Sequence, residues 1–211
     1  MAKLKTNKII YLLLSVTAVS AVAVSSRTDA AGNKQPVVYH EPADGVAKDS
    51  VGSKKAFMAA YRVLMHPRCM NCHPSGEAPL QGDDSHVHTM GVKRGHDGKG
   101  MYALKCSNCH QPQNTPGLHM PPGNPNWHLP PADMKMVFQG KSPRELAAQL
   151  LNPELNGHKT TAQLIAHVTS DSLVLGGWNP GDGRTLPPLT HAEFAKQFKA
   201  WIDKGAFLPD K

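Results

Sequence analysis

The chain has 211 residues and a formal net charge of +7, from 23 basic and 16 acidic side chains. Residues 1–30 hold four of the basic and one of the acidic residues, so the remainder carries only +4. This weak charge gives no reason to expect nucleic-acid binding. Aromatic residues make up only 6 %, and Gly and Pro number 18 each, so the chain has little material for a large conventional core.

The first 30 residues have the features of an export signal. Three lysines are followed by an apolar run over 9–24, with small-residue cleavage sequences at 21–23 and 28–30. The run is short for a membrane span. We predict a signal peptide over 1–30, a periplasmic location and no stable membrane span after cleavage. Retention of the run as an anchor is the alternative.

Residues 31–52 are small and polar, which predicts a flexible lead-in. Ser53 is then placed to cap a helix of about 12 residues with an apolar stripe at helical spacing. Pro67 is predicted to end this helix directly before a cysteine. The remaining chain, 53–211, is predicted to form one domain. The stripe consists of Ala56, Phe57, Ala60, Tyr61 and Leu64.

One five-residue pattern occurs twice and uses all four cysteines: residues 69–73 and 106–110 both read C-x-x-C-H. This is the attachment pattern of c-type haem. Thiols three positions apart lie on one side of a turn, where each can bond one vinyl group of the same porphyrin. The histidine that follows can be the proximal iron ligand. We predict two c-type haems, held by Cys69, Cys72, Cys106 and Cys109, with His73 and His110 as proximal ligands.

Three other interpretations of the cysteines compete with haem. A four-cysteine zinc site does not need a histidine after each pair, and 33 residues separate the pairs here. Disulfides are possible in an oxidising compartment. A redox C-x-x-C motif is expected in a βαβ context, which the sequence does not indicate. The recurrence of the full pattern favours haem.

Residues 74–133 contain nine prolines and are predicted to be mostly irregular. Such a long irregular stretch is unusual in a compact domain unless it is functional, and we expect these loops to wrap the cofactors. A short helix from about Lys99 to Cys109 is predicted to carry the second motif. No segment shows the alternation typical of a strand.

Three further helices are predicted after the loops. Ser142 and Glu145 form a capping box, Thr161 opens the next helix, and Thr190 and Glu193 form a second capping box. Gly205 is predicted to close the last helix, and residues 176–181 form a loop before it. The fold class is mainly α with extensive irregular loops, a small dihaem cytochrome c-like domain built around two covalently attached haems.

The second axial ligand of each iron decides between a carrier and a catalyst. The chain has 12 histidines. We predict His88 and His128 as distal ligands, because His88 lies in a loop beyond the first motif and His128 lies between prolines that can hold its ring. A second imidazole favours a lower potential than a methionine ligand. The alternatives are His66, His86, His119, Met120 and His167, and further candidates are His96, Met90, Met134 and Met136.

Several short stretches together resemble a group of exported proteobacterial dihaem c-type cytochromes. Some members are labelled as a subunit related to isoquinoline 1-oxidoreductase, a molybdenum hydroxylase. The resemblance covers roughly residues 55–208 and implies a dihaem electron carrier that serves a periplasmic dehydrogenase. No part of the chain resembles a molybdopterin or iron–sulfur domain. The stretches are 66–74, 81–84, 94–95, 106–111, 125–129 and 177–181.

The predicted function is one-electron transfer between redox partner proteins, without enzymatic activity. One alternative is a dihaem enzyme with an open iron, such as a peroxidase or a sulfur-compound oxidase. Others are the electron-accepting subunit of a periplasmic molybdenum hydroxylase, or a haem-based sensor. The four cysteines leave no thiolate for a distal ligand, and the surplus of histidines argues against an open iron.

Overall fold

The structure is a computed structural model that describes residues 24–28, 34–38 and 48–211. The chain divides into two compact units, Met1–His40 and Glu41–Lys211. In the first unit, β1 (Val24–Thr28) and β2 (Lys34–Val38) pair as antiparallel strands, which the sequence did not predict. The rest of the predicted signal peptide, and the predicted lead-in apart from β2 and residues 48–52, lie outside the described residues.

The first helix of the second unit, α1, spans Ser50–Leu64 and begins earlier than predicted. Its N-cap is Asp49, whose carboxylate accepts a hydrogen bond from the Gly52 amide at 2.7 Å. The prediction that Ser53 caps this helix is wrong. Ser53 is fully buried, where its hydroxyl donates to the Trp201 carbonyl at 2.9 Å and accepts from the Phe207 amide at 3.0 Å. It therefore joins α1 to the end of the chain.

The capping signals in the C-terminal half are confirmed. Helices α3 (Pro143–Leu151) and α6 (His191–Asp203) begin with the predicted capping boxes. Helix α4 (Thr161–Ser170) begins at the predicted residue and has its own capping box from Thr160. A short helix that the sequence did not predict, α5 (Ser172–Gly176), follows directly after α4. The mainly α character of the fold is confirmed.

One apolar core joins α1, α3, α4 and α6, which we call the helical frame. Its largest contact is between α1 and α6, where Phe57 lies 4.6 Å from Trp201 between ring centroids. Phe138, from an irregular stretch, completes the core. Burial of aromatic side chains of this size dominates the energetics of a core. The fully buried side chains include Phe57, Val63, Leu146, Phe198 and Trp201.

Residues 74–133, which we call the loop segment, are largely irregular, as predicted. They contain two short hairpins, β3 (Leu80–Gln81) with β4 (His86–Val87) and β5 (Gly100–Met101) with β6 (Leu104–Lys105). The predicted helix over 99–109 is wrong, because the β5–β6 hairpin and a 3-10 helix occupy this stretch. Gly100 has φ +88°, which a helix does not permit.

Arg94 holds the loop segment together from inside. Its side chain is fully buried, and its guanidinium donates to the Pro130 carbonyl at 2.6 Å and to the Gly76 carbonyl at 3.2 Å. The carboxylate of Glu77 lies 3.9 Å from Arg94 Nε. Because a buried charge needs such partners, Arg94 ties the stretch after the first motif to the stretch beyond the second.

In the described part of the chain, no helix combines the length and the apolar character that crossing a bilayer requires.

Candidate functional site

The first C-x-x-C-H motif begins in a short helix, α2 (Pro67–Met70), which His66 caps. The amide of Cys72 donates to the Cys69 carbonyl at 3.2 Å, and the amide of His73 donates to the Met70 carbonyl at 3.0 Å. This turn brings the two thiols to the same side of the backbone. The cysteines lie beside the core, since Cys69 packs against it.

The second motif forms the same turn in a different setting. Its 3-10 helix, Cys106–Asn108, follows β6 rather than a helix cap. The Cys109 amide donates to the Cys106 carbonyl at 3.2 Å, the same distance as in the first motif. The His110 amide also donates to the Cys106 carbonyl, at 2.9 Å. The two turns therefore share the bond between the cysteines and differ at the histidine, whose amide bonds three residues back in the first motif and four residues back in the second.

The two motif histidines are held in the same way. His73 Nδ1 donates to the Met136 carbonyl at 2.7 Å, and His110 Nδ1 donates to the Pro122 carbonyl, also at 2.7 Å. A carbonyl oxygen can only accept, so each Nδ1 carries the proton. The Nε2 lone pair is then free to coordinate a metal, which is the usual arrangement of a ligating histidine.

An aromatic ring stacks on each motif histidine. Phe138 lies parallel to His73 at 3.9 Å between centroids and 9° between planes. Trp127 lies parallel to His110 at 4.0 Å and 6°. Together with the Nδ1 hydrogen bond, the stack restricts rotation of each imidazole. Rigid presentation of this kind is what a ligand needs.

Burial keeps both imidazoles neutral. It lowers the pKa of His73 to about 4 and also lowers the pKa of His110. Only a neutral imidazole can donate a lone pair to a metal. The electrostatic environment therefore agrees with the hydrogen bonds in favouring a metal-binding form of both side chains.

The four cysteines are free thiols, so the disulfide interpretation is wrong for this structure. Burial raises the pKa of Cys69 to about 12 and that of Cys72 to about 11. In the described residues, no three His, Cys, Asp or Glu side chains form a metal-binding group, as a zinc site requires. A haem iron takes its other four ligands from the porphyrin and needs only two side chains.

Ionisable groups surround the thiol of Cys72 in the first motif. Besides burial, a charge on Cys106 raises the pKa of Cys72, while Arg68 and Arg94 lower it. Both arginine side chains are almost completely buried, and the Nε of each has no hydrogen-bond partner. Positive charge therefore concentrates beside the first motif.

The structure places the predicted distal residues at different distances from the motifs. Burial lowers the pKa of His110, and a charge on His88 lowers it further, so His88 lies near the second motif. His128 is half-buried, and its Nδ1 donates to the Asn126 carbonyl at 2.6 Å. His128 is near His167, whose pKa it lowers in addition to burial.

The alternative ligands divide by exposure. His86, His119 and Met120 are exposed, whereas His66 and His167 are half-buried. His66 Nδ1 accepts from the Arg68 amide at 3.3 Å as part of its helix cap. Burial lowers the pKa of His73, and a charge on His167 lowers it further. His167 is thus the alternative that lies near the first motif.

Sequence reasoning missed the residues that support the motif histidines. Phe138 and Met136 lie more than 60 residues beyond His73, and no local pattern connects them to it. Trp127 gave a signal, because a tryptophan among prolines is conspicuous in a chain with so few aromatic residues. Met136 has φ +48°, a strained conformation for a residue with a side chain, and its carbonyl holds His73.

Comparison with known proteins adds nothing to this geometry. No protein-family model, curated protein or solved structure matches the chain.

Proposed function

We propose that this chain is an exported dihaem c-type cytochrome that transfers single electrons between redox partner proteins. The proposal rests mainly on the repeated geometry of the two motifs. Each pairs a C-x-x-C turn with a histidine whose Nδ1 donates to a carbonyl and whose ring stacks on an aromatic side chain. Neither zinc nor redox chemistry of the thiols explains why both histidines are held alike.

The residues of each motif fit a covalently attached haem. The thiols of Cys69 and Cys72, and those of Cys106 and Cys109, would form the thioether bonds. Nε2 of His73 and of His110 would bind iron, while Met136 and Pro122 keep the proton on Nδ1. Haem supplies reversible one-electron chemistry at iron. The protein supplies attachment, orientation and the surrounding charges.

The position of the motifs supports electron transfer over catalysis. A charge on Cys106 raises the pKa of Cys72 in addition to burial, which supports two haems attached near each other and able to exchange electrons. A half-buried histidine near each motif histidine could supply the second axial ligand, His167 directly and His88 once its contact with the Met90 amide is broken. An enzyme needs one open position instead.

The surface of the loop segment supports contact with partner proteins. Exposed apolar side chains cluster in this segment, which is where haem edges would lie, and such patches commonly mark interaction sites. The mild net charge suits brief encounters. The residues are Val87, Met90, Tyr102, Leu104, Leu118 and Met120.

The first experiment tests haem attachment. The full chain is produced in a bacterium with the c-type maturation machinery, and covalent haem is counted by the pyridine haemochrome assay after acid–acetone extraction. We expect two haems per chain in the periplasmic fraction. The double variant Cys69→Ala/Cys72→Ala should retain one, as should Cys106→Ala/Cys109→Ala. A folded, exported wild-type chain without covalent haem contradicts the proposal.

The second experiment separates a carrier from an enzyme. The ferrous protein is mixed anaerobically with carbon monoxide, and binding is followed by absorption. A carrier with both irons fully ligated should bind carbon monoxide slowly or not at all. Rapid binding at one haem would instead indicate an open iron, as in a peroxidase or a sulfur-compound oxidase.

A further inference from the structure

The hydrogen bonds of the other histidines separate those that can ligate iron through Nε2 from those that cannot do so without rearrangement. His73 and His110 donate from Nδ1 to an oxygen. Three further histidines in the described chain share this feature. They are His86 with Asp84 at 2.6 Å, His128 with Asn126 at 2.6 Å and His167 with Asp171 at 3.1 Å.

Other histidines have the opposite arrangement. His66 Nδ1 accepts from the Arg68 amide, and His88 Nδ1 accepts from the Met90 amide at 3.4 Å, so in their neutral forms the proton is on Nε2. His191 uses Nε2 itself to donate to the Val168 carbonyl at 2.8 Å. These contacts must break before Nε2 of any of them can bind a metal.

Among the three suitable histidines, His167 is the one that lies beside the first motif. Its helix, α4, contributes Leu164 and Val168 to the core that also contains Phe138, on which His73 stacks. His167 directly precedes Val168, at the margin of the buried face. Consistent with this position, a charge on His167 lowers the pKa of His73, after the larger effect of burial.

Asp171 holds the His167 ring from a fixed position. It ends α4 and caps α5, where one carboxylate oxygen accepts from the Leu173 amide at 2.8 Å. The other oxygen accepts from His167 Nδ1. A carboxylate that accepts a hydrogen bond from the ring nitrogen facing away from the metal is a common support for a metal-binding histidine. It fixes the orientation of the ring and increases its basicity.

A cleft of about 350 Å³ lies beside the carbonyl support of His73. Met136, whose carbonyl holds His73, lines it, and so does Lys159, whose charge lowers the pKa of His167 in addition to burial. The cleft therefore leaves open space next to the support of His73.

We infer that His167 is the second axial ligand of the iron at the first motif, opposite His73, and that Asp171 positions it. This rests on the proposed function. The supports distinguish His167 from His128, since His167 donates to a helix-cap carboxylate whereas His128 donates to the Asn126 carbonyl.

The test uses the purified full-length holoprotein and ferric EPR, with absorption spectra as a second readout. In His167→Ala we expect one of the two haems to become high-spin while two covalent haems remain. Added imidazole should restore the low-spin signal. The matched control His191→Ala, whose ring nitrogen bonds to Val168, should leave both haems low-spin. His128→Ala is measured alongside as the variant of the competing ligand.

A second pair of variants covers the case in which His167→Ala does not mature. His167→Met keeps an axial ligand and should raise the potential of one haem, with the absorption of a His/Met pair. Asp171→Asn should keep both haems low-spin but raise the same potential, because a less basic imidazole stabilises ferric iron less well.

The results test the proposed function and the ligand assignment separately. A wild-type chain without covalent haem overturns the proposed function. Two covalent haems that stay low-spin in His167→Ala, or spectra and potentials in His167→Met that equal those of the wild type, overturn the ligand assignment alone. Conversion to high-spin in His128→Ala but not in His167→Ala assigns the ligand to His128 instead.

Discussion

The helical frame and the loop segment are ordered by different forces. The frame buries large apolar side chains such as Phe57, Phe198 and Trp201, and its helices begin at capping residues. In the loop segment the buried large apolar side chains are Pro74, Leu80 and Leu129, and a buried arginine bonds to carbonyls. The difference teaches that the frame can fold on hydrophobic burial, whereas the loop segment depends on polar contacts and, under the proposed function, on cofactors.

Truncating a core side chain should give the largest loss of stability in the helical frame. Phe57→Ala removes a fully buried ring that packs on Trp201, and we expect it to lower the free energy of unfolding by about 3–5 kcal/mol. Urea denaturation followed by far-UV circular dichroism measures this. The neighbouring Met58→Ala is the control, because Met58 is 41 % exposed and should cost at most about 0.5 kcal/mol. Equal losses in the two variants would contradict the role of the frame.

Replacing Arg94 should destabilise the loop segment more than the helical frame. Arg94→Met leaves the Pro130 and Gly76 carbonyls without their donor, which we expect to cost about 3 kcal/mol of local stability. Hydrogen exchange with mass spectrometry should show the loss in residues 74–133, with α1 and α6 less affected. Lys93→Met, at an exposed neighbouring position, is the control. Uniform loss of protection across the chain would show that the two regions unfold together.

The hydrogen bonds of Ser53 to the C-terminal residues should make a smaller contribution to the stability of the helical frame. Ser53→Ala leaves the half-buried Phe207 amide without its acceptor, while the Trp201 carbonyl still accepts from Ala206. The expected cost is about 1–3 kcal/mol, measured as a shift of the urea midpoint. Exposed Ser170→Ala should leave the midpoint almost unchanged. Equal shifts of the urea midpoint in the two serine variants would show that the hydrogen bonds of Ser53 do not stabilise the fold.

The stacked tryptophan gives the smallest expected effect. Trp127→Leu removes the ring that lies on His110, which should cost about 0.5–1.5 kcal/mol in the holoprotein. Denaturation followed at the Soret band should detect it at the second haem. Tyr102→Leu is the control, since Tyr102 is 87 % exposed. An unchanged midpoint in Trp127→Leu would mean that the hydrogen bond to Pro122 alone holds His110.

Local signals in the sequence were informative where the structure depends on neighbours along the chain. Ser142 with Glu145 and Thr190 with Glu193 form capping boxes, which are completed within one turn. Ser53 shows where such reasoning fails. Serine favours helix caps, but here the hydroxyl bonds to Trp201 and Phe207, about 150 residues away, and Asp49 takes the cap. The predicted helix over 99–109 failed because Gly100 and Tyr102 turn the chain back on itself.

The sequence by itself determined the two C-x-x-C-H turns, because their spacing is a property of consecutive residues. It also determined the helix starts that depend on capping boxes. Only the tertiary structure decided that Met136 and Phe138 meet His73, that Pro122 and Trp127 meet His110, and that His167 stands beside the first motif. Those contacts join residues that no local preference connects. Phe138 packs in the core of the frame beside His73, whereas the contacts of His110 form within the loop segment.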